Sequence, residues 1–312
     1  MLTNFFSEYG MKKVQVIFYS QSGQLRTVIE SFCAPLVQND QVEVLFTPIE
    51  PTTAFPYPWR FYEFFDAMAE SVLDRGCAIE PVAVAADADL VILGYTVWFL
   101  SPSPPVAAFL NSPPAQTLAG KPVVTLIACR DMWLMAQERV KAKLSALGAT
   151  HLDNVVLTDQ GKSLYSFVTT PRWLLTGKKT AFWFFPPAGV ATGEIALASR
   201  FGDRLLTALA HDQETKNAPL LTGLGAVRVA DKLIASEKIA LKSFRLWSRL
   251  MAWAGPASSF GRRTVVSVYI LFLILMIAAF VPLNLIKNGV AARLNREKAQ
   301  VERRYYQAPS GE

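Results

Sequence analysis

Histidine and cysteine are scarce in this chain of 312 residues, which has two of the former and three of the latter. His151 and His211 are too few for a multi-histidine metal site, so no metal is expected. Cys33, Cys77 and Cys129 are odd in number and far apart, which argues against a disulfide framework or a zinc site and fits a reducing compartment. The N-terminal residues carry no long apolar core behind a basic segment, so no secretory signal is expected. Met11 opens the lead-in to the first strand, and residues 1–10 read as a short extension. Acidic charge is sparse in the last third. Residues 213–312 hold fifteen Lys and Arg against six Asp and Glu, whereas residues 1–212 hold sixteen against nineteen. The sequence pI of 9.2 therefore belongs to the C-terminal third, and no nucleic-acid partner is expected from it.

Apolar residues, by contrast, are abundant. They make up 52% of the chain, with a mean hydropathy of +0.26, more than a soluble domain needs and enough to imply a membrane segment. The most informative stretch is VQVIFYSQSGQLRTVI, residues 14–29. Val14–Tyr19 suits a buried parallel strand. Ser20, Gln21, Ser22, Gly23, Gln24 and Leu25 then form a polar loop entering a helix. Free N–H groups and partial positive charge at a helix start make such a loop a phosphate site. It has neither the Lys of a P-loop nor the spaced glycines of a dinucleotide fingerprint. Hydroxyls and backbone N–H groups without a cation are how flavodoxin-like proteins hold the phosphate of FMN. The alternative is an ordinary strand-to-helix turn with a Ser N-cap.

Strand and helix patterns then alternate through residue 211, as βαβ units do. Strands are expected at Val42–Phe46, Asp89–Tyr95, Pro122–Ala128 and Leu152–Leu157. Helices are expected at about 23–37, 60–74, from Pro104, 131–147 and 194–209. Five such strands predict a doubly wound, flavodoxin-like parallel sheet whose ligand lies at the C-terminal strand ends. Two further loops fall at those ends. Thr96, Val97, Trp98 and Phe99 put aromatic rings beside backbone amides, as a planar isoalloxazine requires; core packing is the alternative for Trp98. Cys129, Arg130 and Asp131 follow the fourth strand. They are the candidate catalytic residues, with Cys129 and Arg130 also candidate cofactor contacts. Arg130 could stabilise an enolate or reduced flavin; alternatively Arg130 and Asp131 form a surface pair, with Asp131 capping the next helix. Cys129 also reads as a buried small hydrophobe, and His151 as structural. The aromatic run 55–65 reads as core or as a wall for alkyl chains. Residues 159–190 form an aromatic insertion, a lid for a hydrophobic substrate or else a membrane or oligomer surface.

The segments YSQSG and ILGYTVWFLSPSPP resemble the flavodoxin/NAD(P)H:quinone reductase superfamily. KPVVTLIACRDMWLMAQERVKAKL, TPRWLLTGKK and FFPPAGV resemble, more specifically, the flavodoxin-like proteins named dialkylresorcinol condensing enzymes, over roughly residues 11–210. The resemblance implies a flavin enzyme accompanying a ketosynthase in dialkylresorcinol and aryl-polyene biosynthesis. The resemblance implies a step after the ketosynthase, the oxidation of a dialkyl cyclohexane-1,3-dione to the aromatic resorcinol. With two histidines in total, the chain is read as lacking a ketosynthase's own machinery. A membrane quinone reductase and a flavin-free or electron-carrier partner protein are the other readings, and a homodimer follows by analogy. The loop carries Gln21 and Gln24 where many flavodoxins have Thr or Asn.

The remaining third reads as a membrane end. Thr264–Ile286 is 23 residues without a charge, a helix of roughly 34 Å that predicts a transmembrane segment. Within 212–263, a helical pattern over 226–254 places Lys238, Lys242, Arg245 and Arg249 on one face. This is a basic amphipathic helix for anionic lipid, or one docked on the domain. Residues 287–312 are a basic tail. With both flanks basic, charge does not set the topology, and Pro282 leaves room for a hairpin return. The expected location is the inner (cytoplasmic) membrane, with the flavin domain on the cytosolic face.

Overall fold

Five apolar stretches become the strands of one parallel sheet in the computed structural model, which describes residues 10–159, 163–287 and 296–311. They are β1 (Lys12–Phe18), β2 (Val42–Pro48), β3 (Leu90–Tyr95), β6 (Pro122–Cys129) and β7 (Thr150–Thr158), in the order β2-β1-β3-β6-β7. Between β3 and β6, β4 (Val97–Trp98) and β5 (Ser101–Pro102) make a two-residue-armed antiparallel hairpin outside the sheet. All six residues of β3 are buried, so both faces of the sheet are covered. Counting sheet strands alone, the order is 2-1-3-4-5, the flavodoxin-type doubly wound arrangement. The order reverses between β1 and β3, and there a crevice opens past the strand ends. Residues 1–9 of the expected extension lie outside the described residues.

The helices follow the expected alternation, with breaks that have visible causes. α1 (Gln24–Val37) runs against α8 (Ser199–Leu209), where Phe32 stacks on Phe201 at 6.0 Å. A Cβ at Gly202 would lie 2.0 Å from the Phe32 carbonyl oxygen, so only glycine permits that approach. The helix expected over 60–74 is two, α2 (Phe61–Asp66) and α3 (Met68–Val72), because Arg262 takes the Asp66 carbonyl at 2.6 Å. The helix expected over 194–209 likewise splits into α7 (Thr192–Ala196) and α8, where the Ser31 hydroxyl takes the Ile195 carbonyl at 2.6 Å. α4 (Pro104–Leu110) follows the hairpin, and α5 (Leu134–Ala146) begins three residues later than expected. In the insertion, α6 (Ser163–Thr176) is tied to the aromatic run by a 2.8 Å bond from Trp59 N to Leu174 O.

α9 (Asp231–Ala254) is docked on the domain rather than lying free. Its Glu237, Leu241, Ser248 and Met251 are buried, while Lys242, Arg245 and Arg249 share an exposed face. α10 (Phe260–Lys287) encloses the expected apolar segment and is long and apolar enough, over Phe260–Ala278, to cross a membrane. α11 (Arg296–Gln307) follows.

The start of α10 is clamped. The Arg262 guanidinium, 1% exposed, donates to Glu70 Oε1 at 2.9 Å and to the Asp66 carbonyl, and pairs with the Asp66 carboxylate. Removing one partner of a buried ion cluster strands the others. Arg262→Ala is therefore expected to cost about 3 kcal/mol, read as a lower denaturant midpoint for the detergent-purified protein. An unchanged midpoint would show that the clamp does not hold α10.

Candidate functional site

A cavity of about 290 Å³ opens at the C-terminal ends of β1, β3 and β6 and is closed by the insertion and by α9. Its floor is the loop after β1. Gly23 enters α1 at φ 82°, a left-handed conformation that favours glycine. Ser20 Oγ accepts the Arg26 N–H at 3.2 Å, so this hydroxyl caps the helix start from behind. Gln21 reaches the other way, donating to Pro56 O at 2.8 Å and so fixing the aromatic run to the loop. Gln21, Ser22, Gln24 and Leu25 line the cavity; Ser20 and Gly23 shape the loop without lining it.

The hairpin loop forms one wall through Thr96, Val97, Trp98 and Phe99. Phe99 and Leu100 sit at its tip with φ of 49° and 59°. Two successive positive φ values are those of a type I′ turn, where Asn-Gly is the usual pair. Bulky residues there cost on the order of 1–3 kcal/mol each and persist only where the surroundings over-determine them. Here the surroundings do so. Phe99 packs on Phe64 at 5.1 Å and on Phe244 of α9 at 6.0 Å, and Leu100 is buried. Trp98 is held by Tyr19, Phe55 and Trp59, at centroid distances of 6.1, 5.1 and 5.1 Å.

Cys129, Arg130 and Asp131 supply the opposite wall. Burial pushes the Cys129 thiol well above its usual range, which keeps it protonated and a poor nucleophile. Burial pulls Arg130 down from its ordinary value, against the opposing pull of Asp131 and Asp159. Arg130 Nε donates to Ser166 Oγ at 2.6 Å, and its guanidinium lies 4.2 Å from the Phe167 ring centre, so the insertion holds this side chain. Asp131 stands 3.9 Å from Arg130 but does not cap α5. That position belongs to Glu237 of α9, whose carboxylate accepts the N–H groups of Leu134 at 3.3 Å and Met135 at 2.9 Å. This corrects the expected capping role of Asp131 and explains the late start of α5. His151 bonds to Thr125 Oγ1 at 3.0 Å, away from the cavity, and burial lowers it to about 4.

Several lining residues escaped the sequence reading. Asp159 donates its own N–H to the carbonyls of Cys129 and Arg130, and its carboxylate accepts the Gly189 N–H at 2.8 Å. Thr170 and Trp173 come from α6 and Phe244 from α9. The aromatic richness of 159–190 pointed to the insertion as a whole. Nothing local marked Phe244 or Glu237, which lie more than 100 residues from the loops they touch. Among the described residues, four polar atoms of cavity-lining side chains are buried without a hydrogen-bond partner: Gln24 Nε2, Thr96 Oγ1, Thr170 Oγ1 and Asp131 Oδ1, the last facing Arg130 at ion-pair distance.

Strand order and site together define a doubly wound α/β protein of flavodoxin-type topology with a cavity at its topological switch point. No family model and no curated protein matches the chain. Among solved structures it is similar to a flavoprotein from Lactobacillus acidophilus in complex with FMN. That pair shares 14% identity over 46% of this chain and 93% of the other, with a TM-score of 0.38. A flavodoxin, WrbA-like protein from Agrobacterium tumefaciens shares 10% identity over 64% and 98%, with a TM-score of 0.36. The Trp repressor binding protein from Bacillus subtilis shares 13% over 61% and 98%, with a TM-score of 0.32. The fold assignment rests on the strand order itself.

Glu237 gives the site a pH dependence. Burial raises its carboxyl from 4.5 to about 7, opposed by the N–H groups of Met135, Leu134 and Trp133 and assisted by Asp131. A folded value above the unfolded one stabilises the protein fully below about pH 4.5, and that contribution is lost as pH rises through about 7. The loss is on the order of 2–3 kcal/mol. Glu237→Gln stays neutral, so between pH 5 and 8 the native protein should lose stability relative to the variant. Denaturant midpoints at both pH values measure this; parallel profiles would contradict it.

Proposed function

We propose that this chain is an FMN-dependent oxidoreductase of the inner membrane's cytosolic face that dehydrogenates a dialkyl cyclohexane-1,3-dione to a dialkylresorcinol. One observation carries the flavin part. Buried polar atoms are almost always paired, yet the Gln24 amide and the Thr96 and Thr170 hydroxyls are left unpaired around one cavity. That pattern suits a ligand with a polar rim and a flat apolar body. Ser22 and the first N–H groups of α1 suit its phosphate. Gln24 and Thr96 suit its polar edges, and Trp98 its ring.

Bound FMN would supply the acceptor for the hydride that leaves the ring carbon. The protein's part is orientation, charge and dryness. A cyclic 1,3-dione is acidic and forms its enolate easily, and the Arg130 cation on the cavity wall would stabilise that anion. Losing the hydride and then a proton makes the ring aromatic, so the cavity needs no strong base. Trp59, Phe64, Trp173 and Phe244 exclude water and offer apolar surface to alkyl chains. A ketosynthase that forms the ring is the partner the resemblance suggests, and a homodimer remains part of this reading.

The detergent-purified full chain tests it. Its absorbance, with the acid-released cofactor identified by mass, should show FMN, and a dialkyl cyclohexanedione should be converted to the resorcinol. Absence of flavin after incubation with excess FMN would overturn the reading. Bound FMN with NAD(P)H-dependent quinone reduction and an unchanged dione would replace it with a quinone reductase.

Gly189 gives a sharper check. It sits at φ +89°, and a Cβ there would lie 2.4 Å from Gln24 Nε2. Gly189→Ala should push the Gln24 amide off its position and weaken FMN about tenfold, the size of one lost hydrogen bond to a buried group. Equilibrium dialysis measures it; unchanged affinity would remove Gln24 from the cofactor contacts.

A further inference from the structure

The apolar helix is laid along the domain. Gly261 packs so closely on the end of α9 that a Cβ there would be 2.5 Å from the Ala254 carbonyl oxygen. Farther along, Trp247 meets Tyr269 at 5.4 Å and Phe272 at 5.3 Å. Partner numbers rise on α10 as they fall on α9, so the two helices form an antiparallel hairpin. α2 holds the same stretch from another side, through the buried Arg262 clamp and through Phe65, 6.0 Å from Tyr269. α10 is thus bound to protein from Arg262 to about Leu273. Ile274–Lys287 is fourteen residues, about 21 Å of helix, short of the about 30 Å of a bilayer core.

Over Phe260–Ile277, the part of α10 whose side chains are described, most of the large exposed side chains are apolar. Phe260, Val268, Leu271 and Leu275 are each more than half exposed and recur at helical spacing. α9 continues that surface with Leu246, Leu250 and Trp253. Beside this stripe runs a row of exposed cations, Lys242, Arg245 and Arg249, with Arg263 on α10. An apolar stripe edged by cations matches an anionic phospholipid surface in both chemistry and layout.

The chain beyond α10 then returns to the domain. Glu302 pairs with Lys238 of α9 at 3.1 Å, and the Tyr305 hydroxyl donates to Glu138 of α5 at 2.6 Å. Ser310 is fully buried against the edge strand β7. Its Oγ accepts the Asn154 N–H at 2.7 Å and donates to the Asn154 carbonyl at 3.1 Å. The segments before and after α10 are therefore seated on one body.

From these contacts we infer that α10 is a single-face membrane seat rather than a transmembrane anchor. It lies along one leaflet of an anionic bilayer, and the domain and the C-terminal segment stay on the same side. The seat extends the membrane part of the proposed function and does not depend on the flavin.

The test uses the full chain in cell membranes, with one site-specific protease site before Met1 and another after Glu312. Right-side-out and inside-out vesicles are treated separately, and flavin absorbance is read in the same membranes. Both sites should be cut from the same vesicle face only. Cutting of the C-terminal site from the opposite face would overturn the proposal by showing a true span. A chain found dissolved after cell lysis would also overturn it and would point to a second copy covering the apolar face. Loss of flavin with both sites on one face would count against the redox reading alone.

Discussion

The strained turn at Phe99–Leu100 is held in place by α9 together with α2 and α3. Two bulky residues at positive φ favour rearrangement unless their side chains gain more by staying. Phe99 gains contact with Phe64 and Phe244, and Leu100 enters the cluster that also holds Leu241, Met251 and Val266. The same helix reaches the opposite wall through Glu237, which satisfies the first N–H groups of α5. α9 thus sets both upper loops of the cavity, while the β1–α1 turn sets its floor.

That arrangement ties the site to the apolar end of the chain. α9 turns directly into α10, and the Arg262 clamp joins α10 to α2, which carries Phe64 into the cavity wall. Site, clamp and apolar stripe are therefore neighbours in one helical layer. The geometry gives physical content to the pairing of a flavodoxin-type fold with so apolar a C-terminal third.

Much of the sheet was legible because its signal is local. Strands as apolar as Leu90–Tyr95, with helical periods between them, leave few folds open, and the strand order follows from short right-handed connections. The loops at the strand ends were legible for the same reason, since the fold places them once the strands are known. The helix breaks at Asp66–Ala67 and Leu197–Ala198 were not legible. Each depends on a distant donor, Arg262 or Ser31, taking a carbonyl that the helix would otherwise use.

The sequence by itself determined the alternation of strands and helices, the polar turn at Ser20–Leu25, the aromatic loop at Thr96–Phe99 and the long apolar helix, because each is written in neighbouring residues: short apolar runs for buried strands, helical spacing between them, and polar or aromatic loops at the run ends. Tertiary structure alone decided that Asp131 leaves the α5 cap to Glu237, that Phe244 and Thr170 close the cavity, and that the basic helix docks instead of lying free. Those choices join residues separated by tens to hundreds of positions. Each was settled by which buried N–H, carbonyl or ring had no other partner within reach.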